Sequence, residues 1–469
     1  MNWNWILLIL RLAGSIRPAA VLAFMLLLAS CGSIDNAPIN VPSSIPQLGP
    51  VAPIAGDDSL HSTIVGLAFS GGGMRASAFS FGVMRGLDQI RLPEGGRLLD
   101  QVRFVSGVSG GSVTAAYFGL KGRAALTDFE SRFLYRNAEE ALRTQVYSVD
   151  NVTRALGSGV NDRSGLPTWL AKNVFGNATF ADMNRPGRPL VWINASDINS
   201  KTAFIFEPIT FATICSDLRA FPVSEAVAAS AAVPIVFTPV VVKSYADKCG
   251  FLLPPHLRAM GEDRNVSANV RAYVAALSKY RDPNALGFIK LLDGGLTDNW
   301  GLDGLNVALA SAAEPYQPLS RQDAIVLQKF LFLVVDSGRN LPSDWSKTLE
   351  GPTGADLLEA VASTAIDSSV RNSFEVTRLE MHNWEERLKA WRCSLTPEQV
   401  AEVRGSADGW DCHNVSVRID RVSFEDLDPA TSDRLQKIPT RFVLDPKDVR
   451  LTIDAGAAAA VKVMGGAVN

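Results

Sequence analysis

Basic residues are not in excess in this sequence of 469 residues. Lysine and arginine number 45 and aspartate and glutamate 48, which gives a net charge of −3. A nucleic-acid-binding domain would carry a basic field, so the composition argues against nucleic acid as a partner. The four histidines and five cysteines do not show the spacing of a zinc site. We therefore expect neither a bound metal nor a nucleic-acid partner.

The apolar run near the N-terminus, Ala19–Ala29, is too short to span a bilayer. A spanning helix needs roughly 20 apolar residues. Arg11 and Arg17 precede the run, and this arrangement predicts a secretory signal over residues 1–30. The run ends in Leu28-Ala29-Ser30-Cys31-Gly32, which resembles a bacterial lipobox. The resemblance implies that Cys31 is acylated and becomes the mature N-terminus.

The predicted anchor gives an expected location. In many bacteria a residue other than Asp after the acylated cysteine favours the outer membrane, and Gly32 holds that position. We expect an outer-membrane lipoprotein with its domain exposed to the periplasm. Residues 31–60 contain five prolines and predict an extended tether. The apolar stretch Trp3–Leu10 leaves two alternatives open, a wrongly assigned start or a transmembrane hairpin in place of cleavage.

The cysteines beyond Cys31 number four, and an exported compartment permits disulfides. Short loops close at lower entropic cost, which favours the pairs Cys215–Cys249 and Cys393–Cys412. Four separate buried thiols are the alternative.

The hydrophobic fraction of 47% fits a packed domain, expected over residues 61–465. Apolar, β-branched runs predict strands over 64–69, 102–106, 190–195, 203–206, 235–242, 288–292, 330–335 and 415–424. Helical patterns lie between them at 74–90, 113–120, 127–143, 224–231, 302–313, 354–379 and 447–463. This alternation predicts an α/β fold with a mostly parallel sheet flanked by helices. Ligands of such sheets bind at the carboxyl ends of strands.

A glycine turn follows the first predicted strand and opens a helix, Ser70-Gly71-Gly72-Gly73-Met74-Arg75. Successive backbone N–H groups at a helix N-terminus can bind a phosphate or a developing oxyanion. Dinucleotide binding would also need an acidic residue after the next strand, and none is there. A Walker lysine is missing as well, so we expect no cofactor.

Ser109 follows the second predicted strand, within Gly107-Val108-Ser109-Gly110-Gly111. This G-x-S-x-G pattern between a strand and a helix is typical of a nucleophilic serine on a sharp turn. The alternative is an ordinary helix N-cap.

Asp293 ends a later predicted strand and precedes Gly294-Gly295. An aspartate at the end of a strand, followed by paired glycines, indicates a tight functional turn. The alternative is an Asx-turn in a loop.

The three motifs, in this order, resemble those of the patatin-like phospholipase family. Ala229–Pro234 and Asn194–Asn199 match the family more weakly. The resemblance covers residues 64–300 and implies a lipid acyl hydrolase that cleaves phospholipid or lysophospholipid esters at a membrane. It implies that Ser109 is the nucleophile and Asp293 the general base. Gly71, Gly72, Gly73 and Gly110 would form the oxyanion hole, and Arg75 would support the loop or meet a phosphate.

A free aspartate is a weak base for a serine hydroxyl. We therefore expect Asp293 to be buried, to accept a hydrogen bond from Ser109 and to have a raised pKa. A Ser-Asp-His triad through His382 or His413 is the alternative. At the level of function, the alternatives are an acyltransferase with the same acyl-enzyme and a catalytically silent lipid-binding lipoprotein.

Residues 244–287 interrupt the motif-bearing core as an insertion. Apolar residues recur there at helical spacing from Val266 to Leu277. We expect an amphipathic helix packed on the domain, with a lid or a membrane-facing helix as the alternatives.

Overall fold

The computed structural model describes residues 36–44, 62–142, 159–183, 185, 187–234, 236–339, 344–347 and 349–466. The predicted signal, the lipobox and Cys31 lie outside these residues. Among the helices that are described, none has the length and apolar character needed to cross a bilayer.

The described residues form eight strands in one mixed sheet. They are β1 (Thr63–Phe69), β2 (Val102–Val108), β3 (Leu190–Asp197), β4 (Thr202–Ile205), β5 (Val240–Lys243), β6 (Phe288–Asp293), β7 (Lys329–Asp336) and β8 (Ser416–Ser423). The order is β5-β6-β3-β2-β1-β7-β8, with β4 paired to β3. Strands β3, β2, β1, β7 and β8 are parallel to one another. Strands β4 and β6 each pair antiparallel with β3, and β5 pairs antiparallel with β6. The predicted α/β fold with a mostly parallel sheet is confirmed.

Helices cover the sheet and connect its strands. They are α1 (Gly73–Gln89), α2 (Gly110–Lys121), α3 (Ala125–Phe129), α4 (Leu166–Leu170), α5 (Phe180–Met183), α6 (Pro208–Thr213), α7 (Val223–Ser230), α8 (Pro255–Glu262), α9 (Ala268–Arg281), α10 (Gly295–Asp298), α11 (Asp303–Ala310), α12 (Arg321–Val326), α13 (Gly354–Cys393), α14 (Pro397–Arg404), α15 (Pro429–Gln436) and α16 (Pro446–Met464).

The centre of the sheet is fully buried, which explains the unbroken apolar runs of its strands. Every residue of β1 and β2 is buried. The last helix, α16, packs directly on α1. A Cβ on Gly82 of α1 would lie 2.1 Å from the carbonyl oxygen of Ile453, and one on Gly456 of α16 would lie 2.4 Å from that of Phe79. The two helix backbones therefore touch at these glycines.

Three predicted elements differ from the observed ones. The strand predicted over 235–242 is only Val240–Lys243, because Pro239 has no N–H to donate to a ladder. The helix predicted over 127–143 is broken after α3 into a π turn, Glu130–Leu134, and a 3-10 turn, Ala138–Ala141. Helix α13 continues beyond its predicted end to Cys393, shortly before the next helix begins at Pro397.

The insertion over 244–287 forms α8 and α9. The apolar residues of α9, including Val270, Tyr273, Val274 and Leu277, are buried. They pack against β4, α6 and α11. The apolar face is therefore covered by the domain, as expected for a packed amphipathic helix, and is not presented as a lid or a membrane-facing surface.

Residues 36–44, the part of the predicted tether over 31–60 that the structure describes, do not extend away from the domain. The Asn40 side chain is only 4% exposed. Its Nδ2 donates to the Lys243 carbonyl at 2.8 Å, and its Oδ1 accepts the Lys243 N–H at 2.9 Å. The segment lies on the domain instead of extending away from it, because an asparagine amide can replace a missing strand partner of β5.

Both predicted disulfide pairs are present. Cys215 is bonded to Cys249, and Cys393 is bonded to Cys412.

Candidate active site

Ser109 lies on a sharp turn between β2 and α2. Its backbone has φ 50° and ψ −122°, a conformation that residues with a Cβ rarely adopt. The flanking glycine, Gly110, has no room for a side chain, since a Cβ there would lie 1.9 Å from the carbonyl oxygen of Gly73. The turn places Ser109, which is 5% exposed, at the carboxyl end of the central strands and next to the glycine turn that follows β1.

Asp293 reaches Ser109 because β6 runs antiparallel along the end of β3. Val108 pairs with Asn194, and Asp293 pairs with the next residue, Ala195. The Ser109 hydroxyl donates to Asp293 Oδ2 at 2.8 Å. The Gly295 N–H donates to Asp293 Oδ1 at 2.8 Å. The two residues, 184 positions apart in the sequence, are therefore within proton-transfer distance.

The environment of Asp293 makes it a better base. Its side chain is buried, with 9% of the residue exposed. Burial raises the pKa of Asp293 to about 6, and the hydrogen bonds from Gly295 and Ser109 oppose part of that rise. A carboxylate with this pKa is still ionised at neutral pH and binds a proton far more readily than an exposed aspartate does.

The glycine turn after β1 lies directly beside Ser109. A Cβ on Gly71 would be 3.3 Å from the Ser109 Cβ. Gly72 and Gly73 have φ of 137° and 61°, which only glycine adopts easily. Among the described residues, no acceptor takes the N–H groups of Gly72, Gly73 or Gly110. These three N–H groups are thus available to an anion next to Ser109.

Gly71 differs from the other predicted oxyanion glycines. Its N–H donates to the carbonyl oxygen of Asn299 at 3.1 Å. The expectation that Gly71 donates to an oxyanion is therefore not supported, because a contact with the distant residue Asn299 already uses the donor.

Arg75 supports the glycine turn from within the protein. It is 2% exposed, and it donates from Nε to the Ser337 carbonyl at 3.2 Å and from Nη1 to the Ile438 carbonyl at 2.5 Å. Burial and the nearby Arg339 lower the pKa of Arg75 to about 9. Of the two predicted roles, these contacts favour loop support over contact with a phosphate.

Three supporting residues were not assigned a role from the sequence. The Ser109 N–H donates to Ser230 Oγ at 2.8 Å, and Ser230 in turn donates to the Asn194 carbonyl at 2.6 Å. Ser196 donates to the Asp293 carbonyl at 2.8 Å. Ser337 donates to the Gly71 carbonyl at 3.0 Å. Ser230 and Ser196 lie in the two weakly matching segments, which was the only signal for them, and Ser337 had none.

The structure does not bring a predicted histidine to Asp293. His382 and His413 are both exposed. His382 lines a surface cleft with Arg378 and Ile419, and His413 Nε2 lies 3.5 Å from Cys393 Sγ. The geometry therefore gives no support to the triad alternative through either residue.

One group of potential metal ligands is found among the described residues. It consists of Cys393, Cys412 and His413, whose ligand atoms lie within 4.8 Å of one another. Both sulfurs are part of a disulfide and are not thiolates that could bind a metal ion.

Comparison with solved structures gives matches to human GIVD cytosolic phospholipase A2. One match has 13% sequence identity and a TM-score of 0.37, and covers 87% of this chain and 62% of that chain. The same human protein in complex with methyl gamma-linolenyl fluorophosphonate and terbium chloride has 13% identity and a TM-score of 0.37, and covers 87% and 59%. The chain spans about three fifths of the length of these solved chains.

No curated protein matches the sequence. The model of the patatin-like phospholipase family matches residues 67–306, which include the glycine turn, Ser109 and Asp293. This match covers just over half of the 469 residues, and the chain belongs to the patatin-like phospholipase family.

Proposed function

We propose that the protein is a serine lipid acyl hydrolase that cleaves the acyl esters of phospholipids or lysophospholipids. Ser109 is the nucleophile and Asp293 is the general base. The observation that carries the proposal is the 2.8 Å hydrogen bond from the Ser109 hydroxyl to the buried Asp293 carboxylate. The family supplies the substrate class.

Acylation begins when Asp293 Oδ2 accepts the proton of Ser109 Oγ. The oxygen attacks the ester carbonyl carbon and forms a tetrahedral intermediate. The N–H groups of Gly72, Gly73 and Gly110 stabilise the negative charge on its oxygen, and one such donor contributes about 2.7–4 kcal/mol to catalysis. Asp293 then returns the proton to the leaving alcohol, the deacylated lipid.

Deacylation repeats these steps with water. Asp293 accepts a proton from a water molecule, which attacks the acyl-Ser109 carbonyl carbon. Collapse of the second tetrahedral intermediate breaks the bond to Ser109 Oγ, which recovers its proton from Asp293. The products are a free fatty acid and the original enzyme. The mechanism does not require a histidine, because Asp293 has a pKa of about 6, near the ordinary pKa of a histidine.

We also propose that the protein is a lipoprotein of the cell envelope, anchored through Cys31. Two disulfides support an oxidising compartment, since structural disulfides are rare in the cytosol. Metabolic labelling with a fatty acid analogue tests the anchor. Loss of the label in Cys31→Ser is expected, and equal labelling of both proteins would contradict it.

The decisive experiment combines a fluorophosphonate probe with a lipid panel. The wild type should be labelled at Ser109 and should release fatty acid from at least one phospholipid or lysophospholipid. Ser109→Ala and Asp293→Asn should lose the activity by at least about a thousandfold. Ser131→Ala is the control, because Ser131 is exposed and its hydroxyl donates to the Asp128 carbonyl, not to Ser109 or Asp293.

Absence of both labelling and hydrolysis in a folded wild-type protein would reject the hydrolase and favour a silent lipid-binding protein. Adding an acceptor lysophospholipid to the same assay tests acyl transfer. A new diacyl product in place of free fatty acid would favour an acyltransferase.

A further inference from the structure

The N-terminal segment Asn36–Ser44, called the strap below, follows the edge strand β5. Asn36 Nδ2 donates to the Pro239 carbonyl, immediately before β5, at 2.5 Å. Asn40 pairs with both backbone groups of Lys243 at the other end of the strand. The Ser43 N–H donates to the Cys215 carbonyl at 2.8 Å. The strap is thus fixed to the domain at both ends and in the middle.

The start of the strap lies beside the strand that ends at Asp293, because Val240, which follows Pro239, pairs with Leu291 of β6. Asn36 contacts Pro239, which ends the loop that begins after α7. In the same loop the Ala232 carbonyl accepts the N–H of Asp293 at 2.8 Å. Asn36 follows Cys31 by only five positions. At about 3.6 Å per residue they span at most roughly 18 Å. A lipid on Cys31 would therefore hold this side of the domain close to a bilayer.

Exposed apolar side chains lie on the segments that lead to Asp293. We call Ile198, Val233, Val236 and Phe288 the rim. Val233 and Val236 are 37% and 42% exposed and belong to the loop that contacts Asp293. Phe288 is 49% exposed and begins β6, which ends at Asp293. Ile198 is 40% exposed and donates its N–H to the Lys290 carbonyl on the same strand.

Two lysine side chains lie near the ring of Phe288, the aromatic residue of the rim. The Lys290 Nζ lies 5.5 Å from the centre of the Phe288 ring, and the Lys243 Nζ lies 6.0 Å from it. An apolar ring between cations fits the boundary between acyl chains and phosphate head groups. The Asn40 amide fixes the backbone of Lys243, so the strap also positions one of these cations.

We propose that the rim, together with Lys243 and Lys290, is the surface that docks on the phospholipid bilayer. The strap, which is bound along β5, holds the lipid anchor near this surface. This inference rests on the anchor and the lipid substrate of the proposed function. Docking at the rim brings the membrane to the segments around Asp293. A lipid ester then reaches Ser109 without leaving the bilayer for water.

The first test places a polarity-sensitive dye on the rim of the full-length, acylated protein. The four cysteines that the structure describes are paired in disulfides, and Cys31 carries the proposed lipid, so Phe288→Cys introduces a single reactive thiol. Leu379→Cys is the matched control, since Leu379 is 58% exposed on α13, in a cleft beside β8 at the opposite edge of the sheet. Vesicles contain three parts phosphatidylethanolamine, one part phosphatidylglycerol and a trace of a lipid-borne quencher.

We expect the dye at position 288 to be quenched at least about threefold more than the dye at position 379. Equal quenching at the two positions, or quenching only at position 379, would overturn the proposal. If the protein does not bind to the vesicles, the proposed lipid anchor is contradicted. If fluorophosphonate does not label Ser109, the proposed hydrolase activity is contradicted. Both are measured on the same samples, so each failure is distinguishable from a failure of the docking surface.

The second test measures the ratio of two hydrolysis rates, that of vesicle phospholipid to that of a short, water-soluble ester. Lys243→Glu combined with Lys290→Glu should lower the ratio at least about fivefold, because the charges that face the anionic head groups are reversed. Lys447→Glu, at the start of α16, is the control and should leave the ratio unchanged. An unchanged ratio in the double variant would refute the role of the lysines.

Discussion

The raised pKa of Asp293 predicts how activity depends on pH. The ordinary value for an aspartate is 3.8, and burial raises the pKa of Asp293 to about 6. With a pKa of about 6, about 90% of the carboxyl groups are ionised at pH 7 and about 9% at pH 5. Since only the ionised form accepts the proton of Ser109, kcat/KM for a soluble ester should fall about tenfold between pH 7 and pH 5.

The same burial predicts a stability effect of Asp293→Asn. Because the pKa of Asp293 is higher in the folded than in the unfolded protein, the folded state favours the protonated carboxyl group. The contribution of this protonation to the free energy of unfolding is fully present below about pH 3.8 and is lost as the pH rises through about 6. The pKa difference of about 2.2, at 1.36 kcal/mol per pH unit, corresponds to roughly 3 kcal/mol at pH 8. Asparagine carries no charge, so the variant should be inactive and about 2–3 kcal/mol more stable at pH 8, with the gain vanishing near pH 4.

Two measurements on the same preparations check this reasoning. The first is the rate of ester hydrolysis from pH 5 to pH 8, with circular dichroism to verify that the protein stays folded. The second is urea unfolding of wild type, Asp293→Asn and the control Asp408→Asn, in which an exposed carboxylate is replaced. A flat rate between pH 5 and pH 7, or an Asp293→Asn protein less stable than wild type at pH 8, would refute the assignment of a buried, proton-accepting Asp293.

Three further predictions follow from the contacts around the site. Ser230→Ala removes the acceptor of the Ser109 N–H, so kcat should fall about 10- to 100-fold while KM stays within about twofold, as measured by steady-state kinetics. An unchanged kcat would show that the turn at Ser109 keeps its conformation without this hydrogen bond. Cys215→Ser with Cys249→Ser opens a loop of sequence separation 34 and should lower the free energy of unfolding by about 4 kcal/mol in urea titrations; a loss below about 1 kcal/mol would contradict this. His382→Ala and His413→Ala should each keep the esterase rate within about twofold, and a loss of several orders in either variant would reinstate a triad.

The sequence was sufficient to predict the centre of the fold and the contact between Ser109 and Asp293 in the candidate site. Strands β1 and β2, which carry the glycine turn and Ser109, are buried on both sides, and their apolar runs are therefore nearly continuous. Strand β6, which ends at Asp293, instead alternates between exposed and buried residues at its start. Strand–turn–helix motifs fix the local backbone, so the position of each functional residue at a strand end was predictable. The short distance between Ser109 and Asp293 could be predicted from the resemblance to the family, which implied that the two residues act together.

The remaining features depend on contacts between distant residues, which short patterns do not contain. The Gly71 N–H donates a hydrogen bond to the carbonyl oxygen of Asn299, more than 200 positions away in the sequence. The strap was predicted as a free tether because its prolines indicate an extended chain, and nothing local shows that Asn40 pairs with Lys243. The π turn after α3 replaces a predicted helix within a sequence whose polar and apolar residues fit a regular one.

The glycine turn is hydrogen-bonded to the C-terminal third of the chain, which lies outside residues 67–306 that match the family model. Met74 donates its N–H to the Arg441 carbonyl at 2.7 Å, Arg75 donates to the Ile438 carbonyl at 2.5 Å, and α16 packs on α1. Residues far beyond position 306 thus set the conformation of the backbone expected to receive the oxyanion. A protein truncated to residues 67–306 would keep both proposed catalytic side chains but lose the segment that shapes the glycine turn, so the region that matches the family model does not by itself contain everything that forms the proposed oxyanion site.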